Sequence, residues 1–232
     1  MTGVLAKELR AICLRFRGDS TATVPEPYRP YIPAGWNRVL VLAESQNHGD
    51  ASYLDWLRKL SPEQRIDRLY LQATRIGVEP WDNRTLQLAV ESALGEVARK
   101  TAISNAVLWS RIGVNGKGME PSRENKLLSA NLWSKMFVAM GQPLHIVTTG
   151  RISQQVISGS LKTFTGSPPK ITAWPSPSSR VLNPLSSFIC ERDLKERFPS
   201  VAKALGQQEN WPVGPEGRGR ILYACLATSV SA

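Results

Sequence analysis

Residues 44–50 read Glu-Ser-Gln-Asn-His-Gly-Asp, so two carboxylates, a hydroxyl, two amides and an imidazole fall within seven positions. These are the side chains that hydrogen-bond a ligand, orient a water or carry a proton. Directly before them stands Val39-Leu-Val-Leu42, a short apolar run of the kind that forms a strand covered on both faces, as in a parallel sheet. In open α/β sheets the ligand crevice lies just beyond the carboxyl ends of the strands. Glu44, Ser45, Asn47 and His48 are expected there. The alternative is a solvated strand-to-helix loop with no ligand. Two further places combine polar chemistry with a strand end. Asn105 interrupts the apolar run of residues 101–109, which has no need of an amide; an edge or bulge position is the plain alternative. Trp174-Pro-Ser-Pro-Ser-Ser179 closes another short apolar run, and its prolines cannot continue a ladder.

The rest of the chain must hold these groups in place. Residues 4–17 suit an amphipathic helix: Leu5, Leu9, Ile12, Cys13 and Phe16 recur at spacings of three and four, with Lys7, Arg10, Arg15 and Arg17 on the other face. Residues 18–37 carry Pro25, Pro27, Pro30 and Pro33 and predict an irregular approach to the first strand, 38–43. Helices are expected over 52–60, from Pro62 to about Arg75 with Ser61 as N-cap, and over 84–98. After the second strand, 101–109, the Gly-rich loop at 113–123 lacks the spacing of a Walker phosphate loop. Then come a helix over 122–140, a third strand over 144–149, a helix over 151–163, a fourth strand over 170–174 and a helix over 184–205. His145, in the third strand, reads as a core histidine rather than a catalyst. The tail from 210 turns from Gly and Pro to basic to apolar; it adds an edge strand or packs back on the core. This alternation predicts one domain: a three-layer α/β/α sandwich around a central, mainly parallel four-stranded sheet, with its core at about 36–205.

Composition narrows the partners. A length of 232 residues with 42% hydrophobic content supports one sizeable core. Lys and Arg number 29 against 19 Asp and Glu, a formal charge of +10 that favours a polyanion, nucleic acid before acidic membrane. The three cysteines, Cys13, Cys190 and Cys225, are far apart and form no C-x-x-C pair, which argues against a zinc or iron–sulfur site and for reduced thiols in a cytoplasmic protein. No signal-peptide pattern or membrane-length apolar run is present. G-x-S-x-G, G-x-G-x-x-G and Walker motifs are absent.

Four segments in order resemble the uracil-DNA glycosylase superfamily. Ala43-Glu-Ser-Gln-Asn-His-Gly49 lies where that family keeps a first motif, G-Q-D-P-Y-H-G in one branch and G-E-A-P-G at the start of the iron–sulfur branch. Ser104-Asn-Ala-Val-Leu108 is similar to its L-N-A-V-L strand. The helix at 122–140 with Ile146-Val-Thr-Thr-Gly-Arg151 is similar to its helix, strand and Gly-Arg segment. Trp174-Pro-Ser-Pro-Ser178 is similar to its closing H-P-S-P-L loop.

The resemblance implies base excision repair: a metal-free enzyme without cofactor, monomeric and DNA-binding, that flips a damaged or deaminated base and hydrolyses its N-glycosidic bond. Under it, Glu44, Ser45, Asn47 and His48 handle water, substrate and leaving group, and Asn105 reads the base edge. Tyr53, Trp56 and Trp174 contact the base, and Ser176, Ser178, Ser179 and Arg180 hold flanking phosphates. The chain departs from the family pattern at four points. Ser45 stands where one branch has Asp, Trp174 stands where the closing loop has His, Ser178 stands where that loop has its wedge Leu, and the iron–sulfur branch's cluster cysteines are missing. A serine brings no negative charge to an oxocarbenium-like centre, and an indole donates a hydrogen bond without an imidazole's tunable charge. The alternative is therefore a nucleic-acid-binding member of the same fold that has lost the chemistry.

Overall fold

Leu40, Val41 and Leu42 are consecutive and all fully buried. Neighbouring strand residues point to opposite faces, so a helical layer must cover each side of this strand. The computed structural model of the chain describes residues 3–45, 51–76, 84–110, 120–177, 191–206 and 214–231. Its elements are α1 (Gly3–Cys13), β1 (Val39–Ser45), α2 (Ala51–Lys59), α3 (Pro62–Ile66), α4 (Arg68–Ile76) and α5 (Arg84–Leu94). A 3-10 turn (Gly95–Lys100) leads into β2 (Ala102–Val107). Then follow α6 (Arg123–Ala139), β3 (His145–Thr149), α7 (Arg151–Thr163), β4 (Lys170–Trp174), α8 (Glu191–Arg197), α9 (Pro199–Gly206) and α10 (Gly214–Ser231). Among the described residues, no helix is long and apolar enough to cross a membrane.

The four strands form one parallel sheet in the order β2-β1-β3-β4. Leu42 registers with Ser104 on one side and Thr148 on the other, and Thr149 registers with Trp174. One face of the sheet, with Leu40, Leu42 and Ile146, packs under α1, α6 and α7 through Leu9, Trp133, Phe137, Ile152 and Val156. The other face, with Val41, Ile103 and Val147, packs under α5, α9 and α10 through Leu88, Val90, Val201, Tyr223 and Ala224. The chain is thus an α/β/α sandwich, as its strand–helix alternation predicts.

The strand order also fixes where the fold opens. From the middle pair, β1 passes outward to β2 and β3 passes outward to β4, in opposite directions. Right-handed crossovers then send the two connections to opposite faces, matching α5 on one side and α7 on the other. Between β1 and β3 the two connections part, so the carboxyl ends of these strands face the crevice where such sheets bind ligands.

Two elements differ from expectation, and the tail takes one of its two expected courses. The helix expected from 62 to 75 breaks at Asp67, which caps α3 and turns its carboxylate to Arg10 of α1 and to Arg29. The span expected as one helix over 184–205 contains two short helices, α8 and α9, with residues 178–190 outside the described ones. The tail packs back on the core rather than adding an edge strand. It forms α10, whose Ile221, Tyr223, Ala224, Cys225 and Ala227 are buried in the second core.

The proline-rich approach is a strap fastened along β2. Tyr28 N–H donates to Leu108 O at 3.1 Å and Arg29 N–H to Ile66 O at 3.0 Å. Arg29 also lies over the Tyr70 ring, 3.7 Å from its centroid, and Arg65 pairs with Glu26 at 2.6 Å. Burial pushes the Glu26 carboxyl up, but the hydrogen bond and charge of Arg65 outweigh it and hold the group below its ordinary value. A carboxyl held low stabilises the fold above its unfolded-state pKa and loses that contribution as pH falls through the folded one. Glu26→Gln should therefore flatten the loss of stability below about pH 4.3, read as urea midpoints across the acid range. An unchanged slope would exclude the pair as a source of acid sensitivity. Removing the carboxylate that faces the buried Arg29, by Asp67→Ala, should cost about 3 kcal/mol in urea unfolding. A loss within experimental error would show that the strap is held by its backbone bonds alone.

Candidate functional site

The first strand runs two residues further than the expected 38–43, so Glu44 and Ser45 belong to β1 itself, with Ser45 in register with Val107 of β2. Glu44 follows Leu42 on the same face by strand alternation and reaches the start of α7. There its Oε1 accepts from the Ile152 N–H at 3.2 Å. The N-cap of α7, Gly150, has no side chain to do this, and the first turn carries no acid. A carboxylate 108 positions away in sequence thus answers the free N–H groups and positive end of the helix.

Gly150 makes this approach possible. Its φ of +83° favours glycine. A Cβ built on it would stand 2.5 Å from Glu44 Oε1, 2.9 Å from Glu44 Cδ and 3.1 Å from Ser176 Cβ. Its own N–H donates to Trp174 O at 3.1 Å, tying the β3–α7 turn to the end of β4. Ser153 Oγ completes the turn, donating to Thr149 O and Gly150 O at 2.9 Å each. Strand ends from β1, β3 and β4 therefore meet around one glycine at the parting of the sheet connections.

A second group of side chains stands on the β2 side of β1. Asn105 registers with Ala43, the residue before Glu44, and its Nδ2 donates to Tyr28 Oη at 2.6 Å. Tyr28 is fully buried, and burial pushes its phenol up to about 12 against the opposing hydrogen bond from Asn105. The buried Arg68 guanidinium lies 4.4 Å from the Tyr28 ring centroid, and its Nη1 donates to Arg65 O at 3.0 Å. Burial lowers the Arg68 pKa, while the neighbouring Tyr53 and Tyr28 phenols and a hydrogen bond with Tyr53 support its charge. On α2, Tyr53 packs against Trp56 with ring centroids 5.5 Å apart, both half-buried. Arg75 lies 5.9 Å over the Trp56 ring.

Of the residues singled out from sequence, Glu44 and Ser176 come together at Gly150, and Ser45 ends the same strand. Asn105, Tyr53 and Trp56 belong to the adjoining cluster around Tyr28. Trp174 must be corrected. It is 1% exposed, its Nε1–H donates to Ser231 Oγ at 2.9 Å, and its ring meets Tyr223 edge-on at 6.3 Å. It is a core residue that locks α10 to the sheet and leaves no open face for a base. Asn47, His48, Ser178, Ser179 and Arg180 lie outside the described residues. His145 sits at the start of β3, away from the carboxyl ends, with Nε2 2.9 Å from Thr172 Oγ1. Burial, with Lys170 nearby, lowers its pKa. No group of three or more His, Cys, Asp or Glu among the described residues is arranged to hold a metal ion.

Tyr28, Arg68, Thr149 and Tyr223 escaped the sequence reading. Tyr28 sits among prolines and follows no period. For Tyr223 a signal existed: Ile221, Ala224, Cys225 and Thr228 recur at helical spacings in a stretch taken as a tail.

Gly150→Ala should destabilise the chain by about 2–3 kcal/mol, because strain at positive φ adds to the clash with Glu44. Glu44→Gln keeps the shape and removes the charge at the helix end, so its cost should be smaller, about 0.5–1 kcal/mol. Urea unfolding of both variants checks the ranking; equal losses would mean that the glycine is needed for its φ no more than the carboxylate is for its charge. Compared with known proteins, the chain matches no family model and no curated protein.

Proposed function

We propose that the chain is a DNA glycosylase-like hydrolase that acts on a flipped-out, damaged or deaminated base. The observation that carries this reading is the meeting of Glu44, Gly150 and Ser176 around one point at the carboxyl edge of the sheet. Three of the four segments that resemble the uracil-DNA glycosylase superfamily contribute to that point. The fourth contributes Asn105 on the neighbouring strand. The formal charge of +10 supports a polyanionic partner.

In this reading a water oxygen bonds to C1′ of the nucleotide as the bond from C1′ to the base nitrogen breaks. The base leaves with the bonding electrons and takes up a proton; the water gives one up. Glu44 stands at the edge where water and sugar would lie, with Oε1 committed to α7 and its second oxygen as the available acceptor. Ser45 offers a hydroxyl without charge, and Asn47 and His48 follow it in sequence. Asn105 keeps its Oδ1 and one Nδ2–H for a base edge once the other N–H is held by Tyr28. Tyr53 and Trp56 offer aromatic area on α2, and Ser176 with Ser178, Ser179 and Arg180 supplies small donors and a cation for phosphates.

A second reading is favoured by the same side chains. Glu44 caps a helix, Asn105 is braced by Tyr28, and Ser45 carries no charge, as befits a site that binds nucleic acid and does no chemistry. Oligonucleotides containing uracil, hypoxanthine or xanthine, incubated with excess protein and cleaved at abasic sites, separate the two. Strand cleavage from at least one of them is expected. Salt-sensitive binding without cleavage would leave the binding reading, and neither binding nor cleavage would remove both.

A further inference from the structure

A cavity of about 440 Å³ opens on the outer side of the α1, α6 and α7 layer. Phe16, just past α1, Phe164, just past α7, and the exposed Val138 of α6 supply its apolar walls. Lys135, Asn131 and Thr165 bring an ammonium, an amide and a hydroxyl to it. Because α6 leads into β3 and α7 into β4, their last turns lie at the amino-terminal edge of the sheet. The 13 residues of α7 therefore set the cavity roughly 20 Å from Gly150 at the other end of the helix. One wall is fixed in place. Phe164 stands edge-on to Phe137 with ring centroids 5.9 Å apart, and a Cβ on Gly166 would collide with its ring, so the chain after α7 closes tightly upon it.

The charge around the cavity has one sign. None of the described residues that line it is acidic. No Asp or Glu occurs in α7, and Glu124, the one acid of α6, sits in the first turn, at the far end from the cavity. Lys135 is exposed and makes no ion pair among the described residues. Arg15 and Arg17 flank Phe16 in the chain, and all three of Arg15, Arg17 and Lys162 are exposed. On α7, Arg151, Gln154, Ser158 and Lys162 are exposed at spacings of three and four, a polar and cationic stripe along the helix that ends at the cavity. Glu120, whose carboxylate feels the Arg151 charge, is paired with Lys126 at 2.8 Å. The carbonyls of the turn that ends α6 are taken up by Arg38, which donates from Nε to Gln142 O at 3.0 Å and from Nη2 to Gly141 O at 2.6 Å.

We propose that this cavity is a nucleotide-binding subsite, in which the phenylalanine rings meet a base and Lys135 meets its phosphate. Size permits it, since pockets that hold small ligands run from about 300 to 1,000 Å³. Base stacking on aromatic side chains tolerates any sequence, because every base has a π face. The Asn131 amide and Thr165 hydroxyl each donate and accept, which suits a base edge or a sugar hydroxyl. An ammonium on a flexible stem binds phosphate as a point charge. The subsite goes beyond the glycosylase reading and does not depend on it, because it stands at the opposite edge of the sheet from Glu44.

The test is amide chemical-shift titration of the full isotope-labelled chain with four probes: thymidine monophosphate, thymidine, inorganic phosphate and a ten-residue oligothymidylate. Thymidine monophosphate should move the Phe16, Asn131, Phe164 and Thr165 amides together and saturably. Thymidine and inorganic phosphate should each bind there at least tenfold more weakly, since each lacks one half of the ligand. Lys135→Glu alters an exposed side chain, so it should melt with the wild-type chain while weakening the nucleotide tenfold or more. Oligothymidylate binding at the same amides would assign the subsite to a strand; monophosphate binding with the oligonucleotide excluded would assign it to a free nucleotide. No movement of these amides with the monophosphate or the oligonucleotide would overturn the proposal. Equal affinity for inorganic phosphate alone, or undiminished nucleotide binding by Lys135→Glu, would overturn it too. Base release plays no part in these readings, so their failure leaves the glycosylase reading where it stood.

Discussion

The arrangement at the carboxyl edge depends on a carboxylate from β1 reaching the N-terminus of α7. Glu44 Oε1 accepts from Ile152 N–H at 3.2 Å, and it can do so only because Gly150 carries no Cβ. The interaction joins three constraints. The helix needs an acceptor at its first turn and has no side chain of its own to supply one. The turn needs a left-handed residue, and glycine adopts that conformation at little cost. The neighbouring Ser176 must come within contact of the same atom position. Meeting all three places β1, β3, β4 and α7 at the parting of the sheet connections, which is where a parallel sheet has room for a ligand.

Around that centre, polar groups divide by their commitments. Asn105 is braced by Tyr28, whose ring supports the Arg68 guanidinium, and Arg68 is linked in turn to Tyr53. This is a stiff chain of groups running from the edge strand to α2. Trp174 faces the other core and fastens α10. Thr149, the last residue of β3, and the buried Tyr223 of α10 hydrogen-bond to each other.

Much of the scaffold was legible in the sequence because its signals are local. Four consecutive apolar residues announced β1, the Ser61-Pro62 pair announced the start of α3, and β4 and α7 fall where their runs end at proline and begin at Gly150. Errors arose where distant residues decide. The helix after Ser61 breaks because Asp67 is drawn to Arg10 and Arg29, both far away in sequence. Trp174 looked like part of a binding loop because its neighbours are proline and serine, yet its register with Thr149 turns it toward α10. Glu44 and Ser176 were singled out separately, but nothing local says that they share a glycine. The role of Tyr223 depends on α10 folding back over the sheet, a tertiary event that its Gly- and Pro-rich approach concealed.

The most direct test of this account is amide chemical-shift mapping of the isotope-labelled chain as a single-stranded, uracil-containing decanucleotide is added. The account predicts that the Glu44, Gly150, Ile152, Ser176 and Tyr223 amides move together and saturate at one ligand concentration, with the Asn105 side-chain amide following. Shifts confined to the opposite, amino-terminal edge of the sheet around His145, or saturation that leaves Gly150 and Ile152 unmoved, would contradict it.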